Sequence, residues 1–511
     1  MRLLLICPRF PESFWSAKWA VDNILPDKYA TNSPLGLATL AALCPKHWEV
    51  EIVDENVETL PAYPDADIVG VCGMEVQFER QKEIIEYYHG LGFYVIAGGS
   101  YASLCPEKFE DLADCIISGE AEYIFPEFCN DIENGVVKTL YREEGNVELR
   151  DSPTPRFDLL KLDRYNKISL QFSRGCPFRC EFCDIIVMFG RKPRTKDFEQ
   201  VGRELDALRK LGVRDVFFVD DNLIGNLPLA KGLLRYLVEY QTHHDYWFNF
   251  GTEASLNMAQ HPELLQLFRA ANFGWVFIGI ETTDPDSLVE TQKVQNLRED
   301  ILESVRRIYG YGIEILAGFI IGFDHDTVDS FDRQYRFIVQ SGIQAAMIGL
   351  LVAMPKTPLY ERLMREGRLN TQGDVSDMTR PYTNVIPKGM SYEEMVSGYI
   401  TLYGWLLRDR SIALRVRNKL QYLNAPIYRT GYSTCETLTI LWRFICKGIL
   451  PGGLTRIWYF LSTLPLVRPI YFPTVVSDWI TALSMRDFAS RKLTLENVPA
   501  FSRDAVITRG N

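Results

Sequence analysis

Apolar and polar positions in the first 135 residues alternate between short hydrophobic runs and longer amphipathic stretches. The hydrophobic runs predict buried strands at 3–7, 50–54, 67–72, 94–99 and 114–118. Strands separated by helix-length segments predict an α/β domain with a doubly wound parallel sheet in flavodoxin-like order. Ligands of such sheets bind at the carboxyl ends of the strands, where Asp54 and the turn Gly98-Gly99-Ser100 fall. The two glycines also suit a plain tight turn, since no G-x-G-x-x-G opens a helix here.

A second series of strands and helices follows a polar stretch rich in Pro and charged residues. Its hydrophobic runs predict strands at 167–172, 215–220, 246–251, 275–280, 313–323 and 344–351. Six such units predict a partial barrel with its chemistry at the carboxyl ends of the strands. We therefore expect an α/β domain over 1–140, a linker over 141–164 and a partial (β/α)6 barrel over 165–385.

The remaining chain, 386–511, predicts a helical domain rich in Leu, Ile, Trp, Tyr and Arg. Residues 401–511 hold 15 Lys and Arg against 6 Asp and Glu, a net +9, within a chain whose net charge is −11. The longest uncharged run, 457–467, has 11 residues, whereas a spanning helix needs about 20. This region either lies on a membrane surface as a basic amphipathic layer or packs against the barrel.

Composition narrows the class of protein. With 47% hydrophobic and 24% charged residues over 511 positions, the chain predicts several packed globular domains. The acidic balance disfavours general nucleic-acid binding. Eleven cysteines are too few for a disulfide scaffold, and Pro8 and Arg9 end the first apolar run before a signal segment could form. We expect a cytoplasmic protein in a reducing compartment.

The strongest chemical signal is a group of cysteines, Cys176, Cys180 and Cys183, spaced C-x3-C-x2-C directly after a predicted strand. Three thiolates on one loop can bind three irons of a four-iron, four-sulfur (4Fe-4S) cluster and leave the fourth iron open. Zinc fits less well, because a structural zinc site closes with four ligands and the next histidine is His243. A metal site with an open position predicts an enzyme.

This segment resembles the radical S-adenosylmethionine (SAM) enzymes, which commonly place an aromatic, here Phe182, before the last cysteine. The resemblance implies that the open iron binds SAM and that electron transfer cleaves SAM to a radical able to abstract hydrogen from an unactivated carbon. It also implies SAM-binding roles for polar residues and glycines at the ends of barrel strands: Asp220, Asp221, Asn222, Glu253, Glu281, Gly318 and Gly322. The acidic and amide residues among these also suit helix N-caps.

The N-terminal domain looks like the cobalamin-binding domain of that superfamily, and the phrases PRFPESFWS, AGGSYAS and GEAEYIFPEF add to the likeness. Many cobalamin domains carry D-x-H-x-x-G, whose His ligates cobalt from below. This chain reads Asp54-Glu55-Asn56-Val57-Glu58 there. If cobalamin binds at Asp54 and Gly98-Gly99-Ser100, we expect cobalt without a protein histidine beneath it.

Taken over most of its length, the chain resembles the group that includes the hopanoid C-2 methylase. The resemblance implies a cobalamin-dependent radical SAM methyltransferase acting on an unactivated carbon of an apolar small molecule, with a flavodoxin or ferredoxin as electron donor. One alternative is cyclisation or rearrangement without methyl transfer. Another is a methylthiotransferase whose second cluster would use Cys7, Cys44 and Cys72, and a third is a structural or redox-sensing cluster.

Overall fold

A computed structural model describes residues 1–145, 147–370, 380–425, 432–494 and 496. Parts of the predicted helical C-terminal domain, residues 426–431, 495 and 497–511, lie outside the described residues. The strands are β1 (Arg2–Cys7), β2 (Ala30–Asn32), β3 (Glu49–Asp54), β4 (Ile68–Cys72), β5 (Tyr94–Gly98), β6 (Cys115–Ser118), β7 (Leu140–Arg142), β8 (Tyr165–Leu170), β9 (Ser173–Arg174), β10 (Arg194–Thr195), β11 (Asp215–Phe218), β12 (Asn249–Glu253), β13 (Phe273–Glu281), β14 (Glu314–Ile321) and β15 (Ala346–Leu350).

Helices occupy most of the segments between these strands and dominate the chain after residue 390. They are α1 (Lys18–Asn23), α2 (Leu35–Leu43), α3 (Phe78–Gly90), α4 (Ser100–Leu104), α5 (Ala121–Asn134), α6 (Ile185–Met188), α7 (Phe198–Lys210), α8 (Leu227–His243), α9 (Pro262–Ala270), α10 (Pro285–Glu290), α11 (Ile301–Gly310), α12 (Asp329–Ser341), α13 (Pro358–Glu366), α14 (Tyr392–Leu406), α15 (Asp409–Tyr422), α16 (Thr434–Arg443), α17 (Gly453–Leu461) and α18 (Phe472–Lys492). In the part of the chain that the structure describes, every helix is too short or too polar to cross a bilayer.

The chain divides into two compact units that are each discontinuous in sequence. Unit 1 comprises residues 1–12, 28–176 and 184–221, and unit 2 comprises 13–27, 177–183 and 222–511. The domain limits expected from the sequence stay a prediction.

Unit 1 contains a parallel sheet in the order β3-β1-β4-β5-β6-β7. The first five of these strands have the flavodoxin-like order expected from the hydrophobic runs. The sixth, β7, lies where the sequence suggested the start of a linker. Buried Val, Ile, Leu and Ala side chains of β1, β4 and β5 pack against α3 and α4 and form the core of this layer. Unit 1 also holds the parallel strands β2, β8 and β11.

Unit 2 contains the parallel strands β12, β13, β14 and β15 and the C-terminal helices. Strand β12 begins at Asn249 rather than at the predicted 246, because Tyr246 has a left-handed backbone angle and the backbone N–H and carbonyl of Phe248 are bonded to the Gln241 side chain. The predicted fold class, a doubly wound α/β domain with a partial barrel and a helical C-terminal domain, is confirmed.

The N-terminal segment 13–27 packs with the helices at the far end of the chain. Phe14 stacks on Tyr403 at 4.8 Å between ring centroids and contacts Phe488 edge-on at 4.4 Å. Ile24 joins the core of the C-terminal helices, which is centred on the fully buried Trp479. Since aromatic rings bury a large apolar area, these contacts fix segment 13–27 to the helical part of unit 2.

Candidate functional site

The chain approaches Cys176 through a short antiparallel pair, β9 and β10, that belongs to unit 1. Arg174, in β9, donates hydrogen bonds to Glu120 at 2.8 Å and to Glu122 at 2.7 Å. Arg194, in β10, donates to the same Glu120 at 2.8 Å. All four side chains are largely buried, so the two arginines neutralise carboxylates that would be costly to bury alone. This network fixes the start of the cysteine loop.

Two predicted site residues, Asp220 and Asp221, hold the same loop through its backbone. Asp220 accepts hydrogen bonds from the N–H groups of Phe172 and Ser173 and, at 2.6 Å, from the Ser173 hydroxyl. Asp221 accepts a bond of 2.8 Å from the N–H of Gly175. Burial raises the pKa of Asp220 to about 7 and that of Asp221 to about 6. Both carboxylates therefore position the cysteine loop, and their direct contact with SAM stays a prediction.

In unit 2, the buried Cys180 lies beside a segment that follows α10. The side-chain amide of Gln295 donates to the Cys180 sulfur at 3.8 Å, and the backbone N–H of Glu181 donates to the Thr291 carbonyl at 3.2 Å. Burial raises the pKa of the Cys180 thiol, while the positive charge of Lys293 acts in the opposite direction. The segment 291–295 thus supplies a hydrogen-bond donor and a cation to this cysteine.

Phe182 and Glu281 meet at the same cation. The Lys293 ammonium lies 5.7 Å from the Phe182 ring centroid and forms a buried ion pair with Glu281. Glu281 ends β13 with a left-handed backbone angle, φ 64°, at a bulge in the strand pairing. Gly318 of β14 is close by, because a Cβ atom there would lie 3.2 Å from Phe277 and 3.8 Å from the Glu281 carboxylate. The structure therefore brings Cys180, Phe182, Glu281 and Gly318 together around Lys293.

Asn222 and Glu253, the other predicted SAM-binding residues, lie near the end of β12. The Asn222 amide donates to the Ser255 hydroxyl at 3.2 Å. Glu253 is the last residue of β12, and its backbone carbonyl accepts a bond of 3.0 Å from Leu223. Both residues sit at a strand end, as the sequence predicts, and their cofactor roles stay predictions.

Sequence reasoning missed a network of charges around Glu181, the residue that follows Cys180. Arg362, in α13, donates to Glu181 at 2.7 Å, to Glu290 at 3.0 Å and to Asp324 at 2.9 Å. Although burial opposes ionisation, hydrogen bonds from three basic side chains hold the pKa of Asp324 well below its usual range. The signal was weak in the sequence because Arg362 lies 181 positions after Glu181.

The carboxyl edge of the sheet in unit 1 carries the residues predicted for cobalamin. Asp54 accepts hydrogen bonds from the Tyr165 hydroxyl at 2.8 Å and from the backbone and side chain of Asn56. Burial raises its pKa, and these hydrogen bonds act in the opposite direction. Asn56 also donates to the Pro8 carbonyl at 3.3 Å. Asn56 therefore stands where a D-x-H-x-x-G motif has its histidine, and its side-chain amide is hydrogen-bonded to Asp54 and Pro8.

At the same edge, two loops approach so closely that only glycine fits. Gly99 has φ 99°, and a Cβ atom there would lie 2.3 Å from the Gly73 carbonyl oxygen. The N–H of Gly73 donates to the Gly98 carbonyl at 3.2 Å, and the buried Gln81 donates to that carbonyl at 3.0 Å. Ser100 then begins α4. The approach of these two backbones accounts for the glycine at position 99, and contact of this turn with cobalamin stays a prediction.

The cysteines considered for a second cluster are not grouped. Cys7 and Cys72 end the neighbouring strands β1 and β4. Burial raises the pKa of Cys7, and the charges of Asp54 and Cys72 add to this effect. Cys44, at the end of α2, instead interacts with Cys129 of α5. This separation disfavours the methylthiotransferase alternative.

Among the described residues, no group of three or more His, Cys, Asp or Glu side chains is already arranged to hold a metal ion. The donor chemistry nevertheless fits a 4Fe-4S cluster: the three thiols share one loop, and Lys293 and the Gln295 amide face Cys180. Cys176, Cys180 and Cys183 stay the predicted ligands.

Two family matches define the class of protein. Residues 29–129 match the B12 binding domain and residues 170–338 the Radical SAM superfamily. Residues 357–494 match a domain of unknown function, DUF4070. The chain is thus a radical SAM enzyme with a cobalamin-binding domain, which confirms the predicted cofactors: a 4Fe-4S cluster, SAM and cobalamin.

Curated relatives define the family. The chain is 41% identical over 493 residues to an uncharacterized methyltransferase of Synechocystis sp., covering 94% of this chain and 90% of that one. It is 38% identical over 396 residues to the hopanoid C-2 methylase of Rhodopseudomonas palustris, covering 75% of each. The chain belongs to the family of cobalamin-dependent radical SAM methyltransferases.

Solved structures agree on the fold. The cobalamin-dependent SAM radical enzyme OxsB, solved with aqua-cobalamin and SAM bound, superposes with a TM-score of 0.60 at 16% identity, covering 99% of this chain and 82% of that one. The radical SAM methyltransferase TsrM from Kitasatospora setae gives a TM-score of 0.56, also at 16% identity, over 72% of this chain and 75% of that one. At these identities the likeness concerns the fold alone. The prediction of a carbon-methylating enzyme is confirmed by the family.

Proposed function

We propose that this protein methylates an unactivated carbon of an apolar small molecule, and that its substrate is a hopanoid, methylated at C-2. The observation that supports this substrate is the 38% identity to a hopanoid C-2 methylase over three quarters of both chains. When bound, the cluster and SAM supply the hydrogen-abstracting radical, and cobalamin carries the methyl group.

The proposed roles of the chain's residues rest on the cysteine spacing and on the positions of the other residues at strand ends. Cys176, Cys180 and Cys183 hold the cluster, and Asp220 and Asp221 position their loop. Four residues at barrel-strand ends contact SAM: Asn222, Glu253, Glu281 and Gly318. Cobalamin binds at the sheet edge formed by Asp54, Gly98, Gly99 and Ser100.

An accessible apolar strand face in unit 2 supports an apolar substrate. Trp275 and Phe277 alternate with buried residues along β13, and Leu316 and Ile320 do so along β14. Trp15 contacts the Phe277 ring at 5.0 Å between centroids and is itself half exposed. An aromatic and aliphatic surface of this kind binds a flat hydrocarbon through dispersion and exclusion of water, with no polar recognition needed.

The proposed partner for reduction is a small electron carrier, a flavodoxin or ferredoxin, since cleavage of SAM needs a low-potential electron. We also propose a cytoplasmic location, where such carriers and a reducing environment are found.

The test is production of the protein in a hopanoid-producing bacterium that lacks its own C-2 methylase, fed with methyl-deuterated methionine. We expect hopanoids that carry one labelled methyl group at C-2, and none in the matched strain producing Cys183→Ala. Altered hopanoids without label would favour rearrangement, and sulfur incorporation would favour methylthio transfer. Unchanged hopanoids with active SAM cleavage would overturn the hopanoid as substrate.

A further inference from the structure

Large apolar side chains are exposed at high density in one short part of unit 2. Residues 438–470 hold nine of the 29 exposed large hydrophobic side chains of the described residues. We name them the apolar face: Leu438, Trp442, Leu450, Leu454, Trp458, Leu461, Leu466, Val467 and Ile470. Leu454 is 86% exposed, Trp458 70% and Val467 93%, so most of the surface of each is exposed. Such concentrations of exposed apolar residues mark interaction sites.

The helical spacing directs these side chains away from the protein core. Leu454, Trp458 and Leu461 recur at positions i, i+4 and i+7 of α17 and therefore share one face of that helix. The opposite face carries the buried Phe460, which contacts Phe444 at 5.5 Å and Trp479 at 6.0 Å between ring centroids. Helix α17 thus packs on the protein core through one side, and its other, apolar side is exposed.

The charge of this segment has one sign. Residues 437–477 contain four basic residues, Arg443, Lys447, Arg456 and Arg468, and no Asp or Glu. Lys447 and Arg468 are exposed, whereas Arg456 is bonded to Asp409 at 3.1 Å. Exposed cations in the same segment as exposed Trp and Leu complement a surface that is anionic outside and apolar within.

We propose that the apolar face docks this protein on an anionic lipid bilayer. The Leu and Trp side chains enter the headgroup boundary, while Lys447 and Arg468 contact lipid phosphates. The proposal deepens the proposed function, because a polycyclic hydrocarbon substrate resides in the bilayer and must be met there. Docking itself requires no methylation, so the two proposals can fail separately.

The experiment is co-sedimentation of full-length holoprotein with substrate-free phosphatidylcholine vesicles, with and without phosphatidylglycerol. We expect binding to the anionic vesicles at low salt and partial release at high salt. The double variant Leu454→Gln/Trp458→Gln should lower the bound fraction by about tenfold. The matched control Tyr63→Gln/Val136→Gln changes two exposed apolar residues of unit 1 and should bind as the unaltered protein does. Circular dichroism checks that each variant is folded.

A charge variant separates the two contributions. Lys447→Glu/Arg468→Glu should lose the preference for anionic vesicles. Equal binding by the folded Leu454→Gln/Trp458→Gln protein and the unaltered one would overturn the proposal. Failure of the unaltered protein to bind vesicles would also overturn it, and concentration-dependent dimers abolished by the same variant would then assign the face to self-association.

Discussion

The side-chain amide of Gln295 donates a hydrogen bond to the sulfur of Cys180, 3.8 Å away, from a segment more than a hundred residues later in the chain. Gln295 is itself buried, and its amide oxygen has no hydrogen-bond partner. A donor to a cysteine sulfur stabilises the reduced, more negative state of an iron-sulfur cluster. Gln295 is therefore a positioning residue that also sets the electrostatics at Cys180.

Replacing Gln295 by Leu should make the midpoint potential of the reconstituted cluster more negative. The expected shift is on the order of 40 mV, which corresponds to about 1 kcal/mol for one electron. Redox titration followed by electron paramagnetic resonance measures it. The neighbouring Asn296→Leu is the control, since that side chain donates to the carbonyl of Ile280 at 3.1 Å. Equal shifts in both variants would mean that the change is structural.

Replacing Cys176, Cys180 or Cys183 by Ala should remove the cluster from anaerobically reconstituted protein. Iron should fall from about four per chain to near zero, and SAM cleavage should be lost, because such a cluster ordinarily has four thiolate ligands and this loop supplies three. Iron analysis and 5′-deoxyadenosine formation measure these losses. Cys435→Ala, at an exposed cysteine of α16, should keep both. A triple variant that retains four irons would contradict the assignment.

Asp220 should make the stability of the apoprotein depend on pH. Its pKa is about 7 in the folded chain against 3.8 for the free group, because burial disfavours the charged form. The native state therefore binds this proton more tightly, so the contribution of Asp220 to stability falls as pH rises from about 4 to about 7 and is constant above that window.

Replacing Asp220 by Asn should remove this contribution. The slope of the unfolding free energy against pH should change by at most about 1.4 kcal/mol per pH unit within the window. Urea denaturation at several pH values between 4 and 8 measures it. A variant whose stability follows the same pH profile as the unaltered protein would show that the group does not titrate there.

Replacing Arg174 by Met should destabilise unit 1. The change leaves Glu122 buried without its cation, which typically costs about 3 kcal/mol. Arg150→Met is the control, because its ion pair with Asp197 is largely exposed and should contribute less than about 1 kcal/mol. Denaturant titration compares the two variants, and similar losses in both would contradict a special role for the buried pair.

Cobalt in the bound cobalamin should have no histidine ligand. Asn56 occupies the position of the expected imidazole, and the histidines of unit 1 are engaged elsewhere: His47 contacts Glu133 at 2.6 Å and His89 contacts Asp114 at 3.4 Å. The electron paramagnetic resonance spectrum of the Co(II) protein should not change when histidine is labelled with nitrogen-15. His47→Ala and His89→Ala should bind cobalamin normally, and a label-dependent hyperfine pattern would contradict this prediction.

Local sequence determined the elements and the chemistry that depend on neighbouring residues. The hydrophobic runs predict β1, β3, β4, β5 and β6 nearly to the residue, because buried parallel strands are continuous apolar segments. The spacing of Cys176, Cys180 and Cys183 indicates the cluster chemistry for the same reason, since one short loop carries all three thiols.

Only the tertiary structure decided which residues far apart in the sequence contact each other. The contacts of Arg174 with Glu122, of Cys180 with Gln295 and of Glu181 with Arg362 join positions 52, 115 and 181 residues apart. No periodicity links such positions, because their proximity depends on how whole strands and helices pack. The same holds for segment 13–27, which the sequence assigned to the N-terminal domain and which packing of Phe14 and Ile24 joins to the C-terminal helices. The sequence also could not show that Leu454 and Trp458 are exposed, because α17 has apolar residues on more than one face and only packing decides which face is buried.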